Sequence, residues 1–166
     1  MHEYQYDNPA LELLTLLDSQ GLTVATAESC TGGNIAHLIT SIPGSSSAMM
    51  GGVVAYSNQV KISILGVSAA DIERYGAVSI PVVEQMAQGA QRAIGAQIAM
   101  ATSGIAGPGG ATPDKPVGTV CIAVATTHEV ISQTCHFNGN RTSVIEQASK
   151  KAIAMAIQAI SQKDNQ

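Results

Sequence analysis

Apolar and polar residues alternate along the chain in two periods, 3.6 and 2, which exchange every ten residues or so. Asn8-Pro9 opens the first helical segment, because Asn8 offers a side-chain acceptor and Pro9 suits a first turn. Leu11, Leu14 and Leu17 continue it at helical spacing, and Gly21 ends it. Leu22–Ala27 reads as a strand, and Thr31–Ser41 as a helix stopped by Pro43-Gly44. Ser47–Ser57 contains MMGGVVAYS, a strand whose Gly51-Gly52 predicts a bulge or a close backbone approach. Asn58–Leu65 returns to helix, and Ser68 with Asp71 forms the frame of a capping box. Ser79 is the expected cap of a longer helix that turns Val82, Val83, Met86, Ala90 and Ile94 inward before Gly95. Ala96–Thr102 is a strand, followed by SGIAGPGGATPDKPVG (103–118), too rich in Gly and Pro for either period. Thr119–Thr126 and Val130–His136 form a hairpin, and Asn140 caps a last helix from Arg141 to about Ile160. This order predicts one α/β domain over residues 1–166, a mixed β-sheet between helices in three layers, with a loose tail from about residue 162.

Composition narrows what such a domain does. Hydrophobic residues make up 45% of the 166, aromatics only 3%, so the core is expected to be built from Ala, Val, Ile, Leu and Met. The net charge is −4 with eight Lys or Arg, which argues against a basic nucleic-acid surface. MHEYQYDNP has no secretory pattern, and no apolar run is long enough to span a bilayer. Cys30, Cys121 and Cys135 are odd in number and lack CxxC spacing, which fits a reduced, cytoplasmic protein. The four His are scattered without metal-ligand spacing, so neither a metal nor a cofactor is expected.

Two Gly-rich loops at strand ends are the candidate site: residues 28–33 and 103–118. The first, within TAESCTGG (26–33), raises three readings: a nucleophile, an anion cradle, or an ordinary turn. Ser29 sits at the strand-to-helix corner, where a hydroxyl can point outward beside free amides. Serine at such a corner also serves as a plain helix cap, as Thr31 would. Cys30 is the rival nucleophile, since a helix N-terminus lowers a thiol pKa. Glu28 either favours the helix dipole or orients a neighbour through a hydrogen bond. A base for a serine is offered by AYSNQVK (55–61), where Lys61 follows a strand ending at Tyr56; a desolvated Lys loses its proton readily, whereas a solvated one is only surface. Tyr56 reads equally as an interior ring with a satisfied hydroxyl. Arg141 stands against the dipole of the last helix, a position that an anionic ligand or a nearby Glu would compensate. Lys115 could reach a phosphate or extend into solvent.

ESCTGG, PGSS, GGVVAYSNQVK, GAVS, SGIAGPGG, KPVGTV and NGNR occur in the order found in the CinA C-terminal domain family, which the chain resembles from about Leu11 to Ile160. The resemblance implies an amidohydrolase that converts nicotinamide mononucleotide to nicotinate mononucleotide and ammonia in pyridine nucleotide recycling, and the short chain is similar to the family's stand-alone form. It implies Ser29 as nucleophile, Lys61 as its base and Tyr56 as the Tyr of the same motif. Cys30, Thr31, Gly32 and Gly33 fall in the loop facing the substrate, with Glu28 before it. Ser103, where the family usually has Thr, precedes Gly104, and Arg141 is the basic residue near the phosphate. Many members carry a second basic residue three or four positions later, where this chain has Val144 and Ile145. The implied partner is a small nucleotide, with a homo-oligomer left open. A silent nucleotide-binding paralog and an amidase for another small carboxamide are the competing readings; a DNA-linked role is disfavoured by the acidic charge.

Overall fold

In the computed structural model, residues 7–162 are described. They form α1 (Pro9–Gln20), β1 (Val24–Glu28), α2 (Asn34–Thr40), β2 (Met49–Val54), α3 (Asn58–Ser63), α4 (Ala69–Tyr75), α5 (Ile80–Ala90), β3 (Ile98–Gly104), β4 (Thr119–Ala125), β5 (Val130–His136) and α6 (Arg141–Ser161). The strands make one sheet in the order β2-β1-β3-β4-β5. β1 is parallel to both β2 and β3, and β3–β4–β5 are antiparallel. The mixed sheet between helical layers is the architecture expected from the sequence. The tail lies outside the described residues beyond Gln162.

Strand alternation sorts the side chains by size. Val24, Ile98, Met100, Val120, Ile122 and Val124 point to the layer of α1, α2 and α6. Ala25, Ala27, Ala99, Ala101, Ala123 and Ala125 point to the layer of α5. The alanine face lets α5 lie close to the sheet, and Leu or Ile side chains on the other face fill the wider gap. Each fully buried Leu, Ile or Met contributes roughly 1.5–3 kcal/mol. Close approach recurs at Gly89 of α5, where a Cβ would fall 2.0 Å from the Leu65 carbonyl oxygen.

Several boundaries differ from the expectation, each for a local reason. The helix expected from Thr31 begins at Asn34, because Gly32 and Gly33 take φ of +61° and +100° in the turn before it. The strand expected from Leu22 begins at Val24 and runs on to Glu28, which pairs with Val54 on one side and Thr102 on the other. β2 is shorter than Ser47–Ser57: Ser45–Ser47 is a 3₁₀ turn, and pairing stops at Val54. Its bulge falls at Met50, since Val24 pairs with Met49 and Ala25 with Gly51. The close approach falls at Gly52, where a Cβ would sit 2.3 Å from Thr26 Oγ1. Ser103 and Gly104, expected in a loop, belong to β3, where they pair with Cys121 and Val120. The helix expected to reach Gly95 changes to a π-helical turn at Gln91–Gly95, which leaves Ile94 half-buried. Ser79 does not cap α5 through its side chain; its hydroxyl donates to the Gly76 carbonyl. At α4, Ser68 accepts from the Asp71 amide, but Gln85 takes the reciprocal place by accepting from the Ser68 amide and donating to Asp71.

Candidate active site

The site sits at the carboxyl ends of β1 and β3, where the sheet order reverses direction from the first strand. Glu28 is the last residue of β1, and Ser29 extends the ladder by one bond, its amide donating to the Thr102 carbonyl at 3.0 Å. The chain then turns sharply, with the Gly32 amide donating to the Ser29 carbonyl at 3.0 Å. On the other side, the Ala55 amide donates to the Glu28 carbonyl at 2.8 Å, which carries β2 alongside β1 until Tyr56 leaves the sheet. Ser57 caps α3 by accepting from the Val60 amide, and the helix turns Lys61 back toward the sheet.

Lys61 is 1% exposed. Its Nζ lies 3.0 Å from Ser29 Oγ, 2.9 Å from the Ala55 carbonyl oxygen and 3.2 Å from that of Tyr56. None of these partners carries a charge. Burial disfavours the ammonium, and the Lys61 pKa is lowered from its ordinary value, with only the Cys30 thiol opposing the shift. As an ammonium, Lys61 donates to all three oxygens; once neutral, its two N–H bonds still serve the two carbonyls and its lone pair can accept from the Ser29 hydroxyl.

Cys30 is 7% exposed, and its thiol pKa is pushed up to about 12. Burial is the main cause; its own backbone amide opposes the rise and the Glu28 carboxylate adds to it. The helix-terminus argument for a reactive thiol is therefore outweighed by desolvation. Glu28, also buried, faces away from the cleft. One carboxylate oxygen accepts from the Thr31 hydroxyl at 2.7 Å and the Ile35 amide at 2.8 Å, and the other accepts from the Ala36 amide at 3.0 Å. It thereby fills the open N-terminus of α2 from behind. The Thr31 hydroxyl also meets Thr102 Oγ1 at 2.8 Å, which ties the turn to β3.

The cleft in front of Ser29 has a volume of about 290 Å³. Ser29, Cys30, Tyr56, Lys61, Ser103, Gly104 and Arg141 all line it. Glu28, Thr31, Gly32 and Gly33 do not; they shape the corner that presents Ser29. Ser103 spends its hydroxyl proton on the Ala77 carbonyl at 2.8 Å and so fastens the loop before α5 to the cleft wall. Gly104 has no room for a side chain, since a Cβ would lie 2.7 Å from Val120. Arg141 reaches across the mouth: Nη1 donates to the Gly107 carbonyl at 2.8 Å and Nη2 to the Tyr56 hydroxyl at 3.0 Å. Lys115 is turned elsewhere and donates to the Tyr75 carbonyl. Val144 is fully buried in the core beside α1 and α2, so that turn of α6 offers no second cation to a ligand.

Sequence reasoning missed Asn58, Ala77 and Val78 as cleft walls, whereas Ile105, Ala106, Gly107, Gly109 and Gly110 fall in the 103–118 loop that it singles out. Asn58 had a signal, standing three residues before Lys61 on one helix face. Residues 77–78 had none beyond the GAVS motif, because only the fold brings them to Ser29.

The CinA C-terminal domain model matches residues 7–160. The chain belongs to the CinA C-terminal domain family. A nicotinamide-nucleotide amidohydrolase PncC from Shewanella oneidensis is 53% identical over 124 residues, which are 75% of this chain and 29% of that protein. A CinA-like protein from Mycolicibacterium vanbaalenii is 47% identical over 155 residues, 93% of this chain and 36% of that protein. The chain thus spans about a third of the length of these curated relatives. Among solved structures, a CinA superfamily protein from Klebsiella pneumoniae matches with a TM-score of 0.90 and 32% identity, covering 93% of this chain and 96% of that one. A competence/damage-inducible protein from Agrobacterium tumefaciens matches at 0.89 and 38%, covering 97% and 99%. The family explains the shared fold. Among the described residues, no helix is long and apolar enough to cross a membrane.

Proposed function

We propose that this chain is an amidohydrolase that deamidates nicotinamide mononucleotide, with Ser29 as nucleophile and Lys61 as general base. The observation that carries this reading is the 3.0 Å contact between Ser29 Oγ and Lys61 Nζ, in a buried position where Lys61 faces no carboxylate. The relative named as a nicotinamide-nucleotide amidohydrolase supports the substrate class.

The chemistry follows from the proton count. Neutral Lys61 takes the Ser29 proton as Oγ attacks the carboxamide carbon. The C–O bond forms, and the carbonyl electrons move to oxygen. The amide of Cys30, which lines the cleft, is the candidate donor for that oxyanion, since the Gly32 amide is already bound to the Ser29 carbonyl. Lys61, now an ammonium, gives its proton to the leaving nitrogen as the C–N bond breaks, and ammonia departs. Water then attacks the Ser29 ester with Lys61 again as base, and the carboxylate product leaves with Ser29 restored. A pyridinium ring beside Lys61 disfavours the ammonium further and helps keep the base neutral. In this reading Arg141, which lines the mouth, receives the phosphate.

The test is product analysis. Purified protein incubated with nicotinamide mononucleotide should release ammonia and nicotinate mononucleotide in equal amounts. Ammonia from other small carboxamides but not from this nucleotide would overturn the substrate and leave the amidase.

A further inference from the structure

Resting on that reading, the structure raises a problem of charge. The substrate ring is a cation, yet no Asp or Glu lines the cleft, while Lys61 and Arg141 both do. Some group must still receive a positive ring. Among the described residues that line the cleft, Tyr56 is the single aromatic one. Tyr75 lies under the Arg74 guanidinium, and Phe137 packs against the core beside α6.

Tyr56 is 60% exposed, unusual for a large ring in a protein with so few aromatics. Its hydroxyl accepts from Arg141 Nη2, and Arg141 is held in turn by the Gly107 carbonyl. The ring is thus fastened at its hydroxyl end, at the mouth of the cleft. No hydrogen bond joins that hydroxyl to Ser29 or Lys61, whose Nζ takes only the Tyr56 backbone carbonyl. The hydroxyl is therefore engaged away from the reacting pair, and the exposed ring is left as an aromatic wall of the cleft.

We propose that Tyr56 is a specificity residue whose ring face holds the pyridinium by a cation–π contact, with Arg141 fixing the ring and taking the phosphate of the same ligand. The face of an aromatic ring is negative through its quadrupole, so it attracts a cation without bringing a carboxylate that would re-protonate Lys61. The cleft can then bind a positive ring and keep a neutral base at once.

The test compares two ligands that differ in ring charge: nicotinamide mononucleotide, and benzamide riboside 5′-monophosphate, which keeps the carboxamide and phosphate on a neutral ring. Binding of each is measured by calorimetry on full-length protein carrying Ser29→Ala, which prevents turnover. The preference for the charged ring should be kept in its larger part in Tyr56→Phe, which retains the π face and loses only the Arg141 anchor, and should fall about three- to thirty-fold in Tyr56→Leu. Tyr56→Trp should hold or raise it, which covers the case of a poorly folded Leu variant. An unchanged preference in Leu, or a preference lost equally in Phe and Trp, overturns the platform. Failure of the underlying reading looks different: the wild-type protein would release no ammonia from nicotinamide mononucleotide.

Discussion

Lys61 Nζ and Ser29 Oγ lie 3.0 Å apart although 32 residues separate them in the chain. β1 delivers the serine, α3 delivers the lysine, and the parallel pairing of β1 with β2 sets the two ends side by side.

If Ser29 is the nucleophile, Ser29→Ala should lower kcat by three to six orders of magnitude, up to roughly 10⁶. The fold should survive, because the alanine only removes a hydroxyl at the cleft floor. Cys30→Ala should keep the larger part of the rate, since a thiol with a pKa near 12 contributes no thiolate at neutral pH. Ammonia release by both variants decides the matter; a dead Cys30→Ala and an active Ser29→Ala would reverse the assignment.

A neutral base has a signature that a mere positive charge lacks. Lys61→Arg should be as inactive as Lys61→Ala, because guanidinium stays protonated. The wild-type kcat/KM should rise with pH through a pKa below the roughly 10.4 of an ordinary lysine. An Arg variant with substantial activity would exclude the base role.

Burying Lys61 also has a cost in stability that depends on pH. Its folded pKa is lowered, so between that value and the unfolded pKa the unfolded chain holds more protons, and stability rises with pH there. Below the folded pKa the full penalty is present; above the unfolded one it is gone. Lys61→Met removes this term while losing the same hydrogen bonds at every pH. Its stability relative to wild type should therefore be greater at pH 6 than at pH 10. Urea denaturation at the two values measures the difference, and an equal or opposite trend refutes it.

Glu28 supports the corner without touching the cleft. Glu28→Ala leaves the Thr31 hydroxyl and the Ile35 and Ala36 amides without their acceptor and should cost about 2–4 kcal/mol. Glu28→Gln keeps one acceptor and should cost less. Chemical denaturation orders the two; an Ala variant as stable as wild type would deny the role.

At Gly89, helix propensity and packing have opposite signs. Alanine in a helix interior is favoured by about 1 kcal/mol. Here its Cβ would meet the Leu65 carbonyl oxygen at 2.0 Å, a backbone atom that cannot swing away. Gly89→Ala should therefore lower the melting temperature. A rise would mean that α5 and the turn at Leu65 move apart at little cost.

By itself, the sequence determined the kinds of element and their order. Local spacing carries that information: Leu11, Leu14 and Leu17 share one helix face whatever surrounds them, and Asn8 and Asn140 cap their helices through atoms two or three residues away. It also placed Ser29 at a strand end, since the turn that follows is made by Gly32 and Gly33. Tertiary structure alone decided what those residues became. Whether Lys61 is a surface cation or a buried amine depends on what covers it, and Ala55, Tyr56 and Ser29 do so only once β2 lies against β1. Cys30 lost its reactive reading for the same reason, because desolvation belongs to the packed state. Glu28 turned out to serve α2 from behind, since the alternation of side chains across β1 sends it to the opposite face from Ala27. Arg141 found Tyr56, 85 residues away, at the mouth of a cleft that no stretch of sequence contains.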